Sequence, residues 1–286
     1  MRARGLNPMA VYHIGEDISW LFRMLDLGCD YIGLGALSMR GSDRADAFYS
    51  YVWSHLVNRD GRPIVKVHGL GEARRSRLMR YPWYSADSTS WIYAAQRTGQ
   101  LVLPSGRAIS IRNDGKGSNA SPSLIFMDKE ERAEFDWVLE ESGVTSDVFD
   151  VGGKNSWLLR AYVSAWYYKY LQWEVRDEHP IKFKPQGFLS MPYSNSESIN
   201  EQFHMHLVCS EANISAFPII AKLKHRGVLL SYYYLSLPPT AKAAIKRGTR
   251  KFDTNQLKQF VHDPIEFVAS TEPWLECWNI LEKYVK

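Results

Sequence analysis

Four short strand-like runs, each separated from the next by a segment of helical spacing, open this chain and constrain its fold more than any other feature. Residues 11–13, 31–34, 64–67 and 85–87 are short enough to read as strands. Between them, residues 17–27 place Ile18, Leu21, Phe22 and Leu25 on one helical face and stop at Gly28. Residues 43–57 and 72–81 also read as helices, the second broken by Pro82. Strands alternating with helices at this pitch predict parallel βαβ units and an α/β fold. In such units chemistry gathers at the C-terminal ends of the strands, which here hold His13, Gly33 to Ala36, His68 to Gly71, and Asp87. All four groups are therefore expected on one edge of one sheet.

Composition narrows the class without choosing a function. With 286 residues, 45% hydrophobic and 23% charged, the chain can bury a full core and form one or two domains. No apolar run approaches the ~20 residues that span a bilayer, so a membrane protein is not expected. Met1-Arg2-Ala3-Arg4 leads into a mixed segment unlike a signal peptide. Cys29, Cys209 and Cys277 are odd in number and far apart, which points to reduced thiols in a cytoplasm. A formal net charge of +4 agrees with a nucleic-acid partner and equally with many other soluble proteins.

The run from Ile64 to Asn113 carries the chemistry. A strand ends in His68-Gly69-Leu70-Gly71, a basic helix follows, and a second strand delivers Asp87 into the hydroxyl cluster Ser88-Thr89-Ser90. Downstream come Arg97, Arg107 and Arg112 in a turn-rich tail. A carboxylate at a strand end, near cationic groups, is what attack on an electrophilic carbon beside a phosphate requires. The same Asp-Ser-Thr-Ser run also fits a helix N-cap. His13 at its strand end and His68 before the glycine turn fit base contacts or plain packing alike, and the arginines fit solvated surface as well as phosphate contacts.

Beyond residue 115 the pattern loosens. Residues 115–123 are a Gly/Ser/Asn loop, 128–142 an acidic helix, and 155–176 a helix bearing Trp157, Tyr162, Trp166, Tyr167, Tyr170 and Trp173. Aromatics at helical spacing read as core packing before base stacking. Residues 203–209, 215–225 and 228–235 form a further strand-helix-strand unit, followed by Lys242, Lys246, Arg247, Arg250 and Lys251. A boundary near residue 115 divides the chain into 1–115 and 116–286, the latter a C-terminal α/β region with the aromatic helix.

At its first four strand ends the chain resembles the tRNA-guanine transglycosylase family of queuine and archaeosine tRNA-ribosyltransferases. The carrying segments are Val11-Tyr12-His13-Ile14-Gly15, Tyr31-Ile32-Gly33-Leu34-Gly35, Val67-His68-Gly69-Leu70-Gly71 and Ser85-Ala86-Asp87, with Gln96-Arg97-Thr98-Gly99-Gln100 and Ile109-Ser110-Ile111-Arg112-Asn113 downstream. The His-Gly-Leu-Gly and Asp-Ser-Thr-Ser-Trp wording is most similar to the phage-type branch that inserts 7-deazaguanines into DNA. The resemblance implies a pentosyltransferase that exchanges guanine in DNA, or tRNA, for a 7-deazaguanine such as preQ0. It implies Asp87 as nucleophile, His13, Gly35, Ala36, His68 and Gly69 around the base, and Ser88, Arg97, Arg107 and Arg112 along the nucleic-acid backbone. His13 stands where the family commonly has a base-recognising glutamine.

Two departures shape the remaining expectations. The family's zinc cluster of three cysteines and a histidine has no counterpart in residues 114–126, so neither zinc nor any other cofactor is expected. A closed (β/α)8 TIM barrel needs about 250 residues and eight strands; only its second half is legible here. The strands at Val11 and Ser85 would then be the sheet's two edges. Their missing neighbours would come from an upstream segment, another chain supplying the half-barrel, or a homodimer, pairing with the distant C-terminal strands being disfavoured by the long connection. The alternatives to a transglycosylase are a non-catalytic nucleic-acid-binding partner subunit and an unrelated barrel enzyme acting on a small molecule.

Overall fold

The structure is a computed structural model, and it describes residues 9–35, 42–93, 95, 99–105, 107–110, 127–144, 156–177, 182–184, 197, 202–209, 217–224, 228–230, 278–283 and 285. The elements run β1 (Ala10–His13), α1 (Ile18–Asp26), β2 (Tyr31–Gly35), α2 (Ser42–Leu56), β3 (Lys66–Leu70), α3 (Arg75–Leu78), β4 (Ser85–Ser88) and α4 (Ser90–Tyr93). They continue with β5 (Gln100–Val102), β6 (Ala108–Ser110), α5 (Lys129–Ser142), α6 (Ser156–Asp177), β7 (His204–Cys209), α7 (Phe217–Leu223) and β8 (Val228–Leu230). The fold is mixed α/β around a parallel sheet, with no closed barrel among the described residues. By compactness the chain divides into two interleaved units, 1–88 with 170–206, and 89–169 with 207–286. Position 115 thus falls within the second unit.

In the first unit β1, β2, β3 and β4 pair in parallel, and their register sorts the side chains into rows. Ladder partners share a face because side chains alternate along each strand. One row is Tyr12, Leu34, Gly69 and Ala86. Its face packs on α2, whose Tyr49, Val52, Trp53 and Leu56 recur at helical spacing and are all buried. Phe48 stacks on Tyr12 at 5.9 Å, and Trp53 meets Trp83 edge-on at 5.2 Å. The opposite face carries the row Val11, Gly33, His68 and Ser85, then the row His13, Gly35 and Leu70. Extending the register by one residue brings Asp87 level with Leu70. Helix α1 follows its sequence signals closely: the Asp17 side chain accepts from Ser19 N–H, and Gly28 takes φ +66° just past the end.

Three expectations need correction. The strand order is β1-β2-β3-β4-β7-β8, so β4 is an interior strand and not an edge. His204 N–H donates to Tyr84 O at 2.9 Å. Unpaired strand groups at β4 demand partners, while closing a longer loop adds entropy cost only logarithmically, so sequence distance was a poor argument against this pairing. Second, the helix expected over 72–81 shrinks to α3, because Glu72 turns inward and its carboxylate accepts from Arg74 N–H. Third, β3 runs to Leu70, so His68 and Gly69 lie within the strand and not in its terminal turn.

In the second unit, β5 and β6 form an antiparallel hairpin closed by Leu103 N–H to Arg107 O, where the sequence suggested a turn-rich tail without strands. Helix α5 opens with a capping box between Asp128 and Glu131 and ends at Gly143 with φ +72°. Such an N-cap contributes about 1 kcal/mol. On α6, Tyr162, Trp166, Tyr167 and Tyr168 are buried, as core packing requires. The end of β7 pairs in parallel with β8 from Leu207 opposite Val228 to Cys209 opposite Leu230.

Candidate active site

Two buried polar clusters flank the turn that leaves β3. Gly71 has φ +68°, a conformation that costs other residues their Cβ contact with the backbone. The turn presents the Gly71 N–H to the Asp87 carboxylate, which accepts it at Oδ1. Asp87 is therefore anchored to the neighbouring strand's turn. Asp87 is 7% exposed, next to last in β4.

The first cluster extends from Asp87 along its own face of the sheet. His68 is 3% exposed, and its Nε2 lies 3.7 Å from Asp87 Oδ1 without a hydrogen-bond partner. Its Nδ1 lies 2.7 Å from Ser85 Oγ and 3.3 Å from the Tyr31 hydroxyl, and those two hydroxyls are 2.6 Å apart. Burial pushes the Tyr31 hydroxyl up from its usual pKa, with the Ser85 hydrogen bond opposing. Tyr31 is thus neutral at ordinary pH. The His206 ring stands 6.1 Å from the His68 ring.

The second cluster lies on the other side of the turn. Glu72 accepts from Arg77 Nη1 at 3.0 Å, and Arg77 Nε donates to Asp46 at 2.6 Å. Burial works against the Arg77 charge, but Asp46 and Glu72 outweigh it and hold the guanidinium protonated. The Tyr49 hydroxyl is pushed well up by burial and then by Glu72. Every partner in this cluster answers another, the arrangement a structural network needs.

The site residues expected from sequence separate on this framework. His13, at the end of β1, stands in register with Gly35, and a Cβ on Gly35 would come within 2.5 Å of His13 Nδ1. The room that glycine creates is thus occupied by the imidazole. Gly69 lies on the face toward Trp83 and Glu72, away from His68 and Asp87. Ser88 ends β4 and is buried. Arg107 is in the second unit and pairs with Glu131 at 2.6 Å and Asp128 at 3.9 Å. Ala36, Arg97 and Arg112 lie outside the described residues, as do Lys242, Lys246, Arg247, Arg250 and Lys251. Sequence reasoning missed Tyr31 and Ser85 as members of the site. Period-two alternation was the available signal, since Ser85 shares the face of Asp87.

Compared with known proteins, the chain matches no protein-family model, no curated protein and no solved structure. Among the described residues no group of three or more His, Cys, Asp or Glu is placed to hold a metal ion. No described helix is long and apolar enough to cross a membrane.

Proposed function

We propose that this protein is a guanine transglycosylase that exchanges a guanine in nucleic acid, DNA before tRNA, for a 7-deazaguanine, working without zinc in the cytoplasm. The observation that carries the reading is the placement of Asp87: a buried carboxylate near the C-terminal end of a parallel strand, one oxygen fixed by a backbone amide. It stands level with the strand ends of His13 and Gly35 on a polar face. A parallel sheet backed by helices on one face is also what part of a (β/α)8 barrel presents, and we infer that finer fold.

The chemistry follows from the carboxylate. Breaking the N9–C1′ bond generates oxocarbenium character, which a nearby carboxylate stabilises and captures. With Oδ1 engaged by Gly71, Oδ2 forms the bond to C1′ while the N9–C1′ electron pair leaves with guanine, which takes a proton from solvent. The incoming base then attacks C1′ and releases its N9 proton to solvent. The C1′–Oδ2 pair returns to Asp87, and configuration is retained.

Label exchange with guanine on duplex DNA and on tRNA tests this directly. Wild type should exchange, and should form a covalent protein–nucleic acid adduct when the incoming base is withheld. Asp87→Asn, nearly isosteric, should bind nucleic acid, form no adduct and lose about 10³-fold or more in exchange. Exchange by Asp87→Asn near the wild-type rate would refute the nucleophile.

A further inference from the structure

We propose that His68 is a positioning residue for Asp87: the Tyr31 and Ser85 hydroxyls fix its imidazole as the tautomer with the proton on Nε2, aimed at Asp87 Oδ1. This rests on the reading of Asp87 as nucleophile for its consequence, but the tautomer itself does not. Three polar atoms, His68 Nδ1, Ser85 Oγ and Tyr31 OH, lie within 3.3 Å of one another and share two hydroxyl protons. If Tyr31 donates to Ser85 and Ser85 donates to Nδ1, all three are satisfied and Nδ1 is an acceptor. Nε2 then carries the proton.

The other tautomer is disfavoured by charge. It would turn the Nε2 lone pair toward the Asp87 carboxylate across 3.7 Å in a buried setting, a repulsion that the Nε2–H form converts to attraction. At 3.7 Å the pair is longer than a hydrogen bond, so the attraction acts between the N–H dipole and the carboxylate charge. The remaining groups facing His68 are His206, with its ring centre 6.1 Å away, and Tyr31 edge-on at the same separation. Lys66 lies farther along the strand, over the Tyr84 ring.

The consequence is a division of labour within one carboxylate. Oδ1 faces two donors, the Gly71 amide and His68 Nε2–H, and Oδ2 is kept for C1′. The same two donors stabilise the negative charge that returns to the carboxylate when the C1′–Oδ2 bond breaks. His68 thereby acts on the leaving carboxylate and does not stack on the base.

Two measurements decide it. Long-range proton–nitrogen NMR on the His68 ring should show Nε2 protonated and Nδ1 unprotonated in wild type, shifting toward a tautomer mixture in Ser85→Ala. A wild-type ring protonated on Nδ1 alone overturns the proposal whether or not the protein exchanges guanine. In exchange kinetics, His68→Ala should lower kcat by roughly 10- to 100-fold at unchanged KM for the incoming base, the range a hydrogen bond to a charged group commands. His68→Gln, which returns an N–H near Nε2, should recover part of that loss. A raised KM at unchanged kcat, or equal losses in Ala and Gln, would sink the positioning role while leaving the Asp87→Asn result intact.

Discussion

The two polar clusters on either side of the Gly71 turn differ in completeness, and the difference separates architecture from chemistry. Around Arg77, each buried charge meets a counter-charge: Glu72 at 3.0 Å and Asp46 at 2.6 Å. Around Asp87, the nearest ring nitrogen is buried with no hydrogen-bond partner and stands 3.7 Å off. Closed networks of buried charge rigidify a fold, whereas a buried polar atom left unanswered costs stability and persists where function requires it. The Arg77 cluster therefore holds the turn, and under the proposed function the Asp87 cluster uses it.

Substitutions can break this contrast at either end. The largest effect is expected at Asp87→Asn, with exchange down about 10³-fold or more and a melting temperature near wild type. Glu72→Ala should do the reverse. Removing one partner of a buried pair leaves Arg77 under-compensated, so we expect a loss of about 3 kcal/mol in urea unfolding. A stable Glu72→Ala protein with abolished exchange would place Glu72 in the chemistry and dissolve the contrast.

Gly71→Ala probes the element the clusters share. Its left-handed backbone should cost about 1 to 2 kcal/mol and displace the amide that holds Asp87, so stability and exchange should fall together. Loss of one without the other would show the clusters to be independent.

The smallest effect lies away from both. Burial holds His55 below the usual histidine pKa. The unfolded chain therefore binds its proton first, and stability should fall as pH drops below about 6.5, levelling off below the depressed folded value. His55→Gln should flatten that slope between about pH 7.5 and pH 5 in urea midpoints. An unchanged slope would assign the acid sensitivity elsewhere.

Much of the framework was legible in the sequence where one residue type dictates one local geometry. Asp17, Gly28, Asp128 and Gly143 marked helix ends to within a residue, because caps act through neighbouring backbone. The strand end at Asp87 was legible because the Ser85-Ala86-Asp87 run is short and leads into the helix-capping residues Ser88-Thr89-Ser90. The start of β3 was misplaced because Ile64 and Val65 continue the apolar pattern while the ladder begins at Lys66, and its end was misplaced because Gly69 and Gly71 read as a turn although the ladder runs on to Leu70. The turns of the β5–β6 stretch were legible, as in Pro104-Ser105-Gly106, but its three-residue strands are too short to show a period. Neither the hydroxyls around His68 nor the pairing of β4 with β7 was visible. Both are long-range, and a pattern read in short windows contains no term for them.

The position of β7 beside β4 also sets a timetable. The strand bearing Asp87 acquires its second neighbour from residues near His204, more than a hundred positions later in the chain. A ribosome therefore releases β1 through β4 long before β4 is flanked on both sides, and contacts of such sequence separation form slowly. The nascent chain carries Asp87 on a strand with one bare edge for that interval, so any premature stop between the two would yield a sticky fragment.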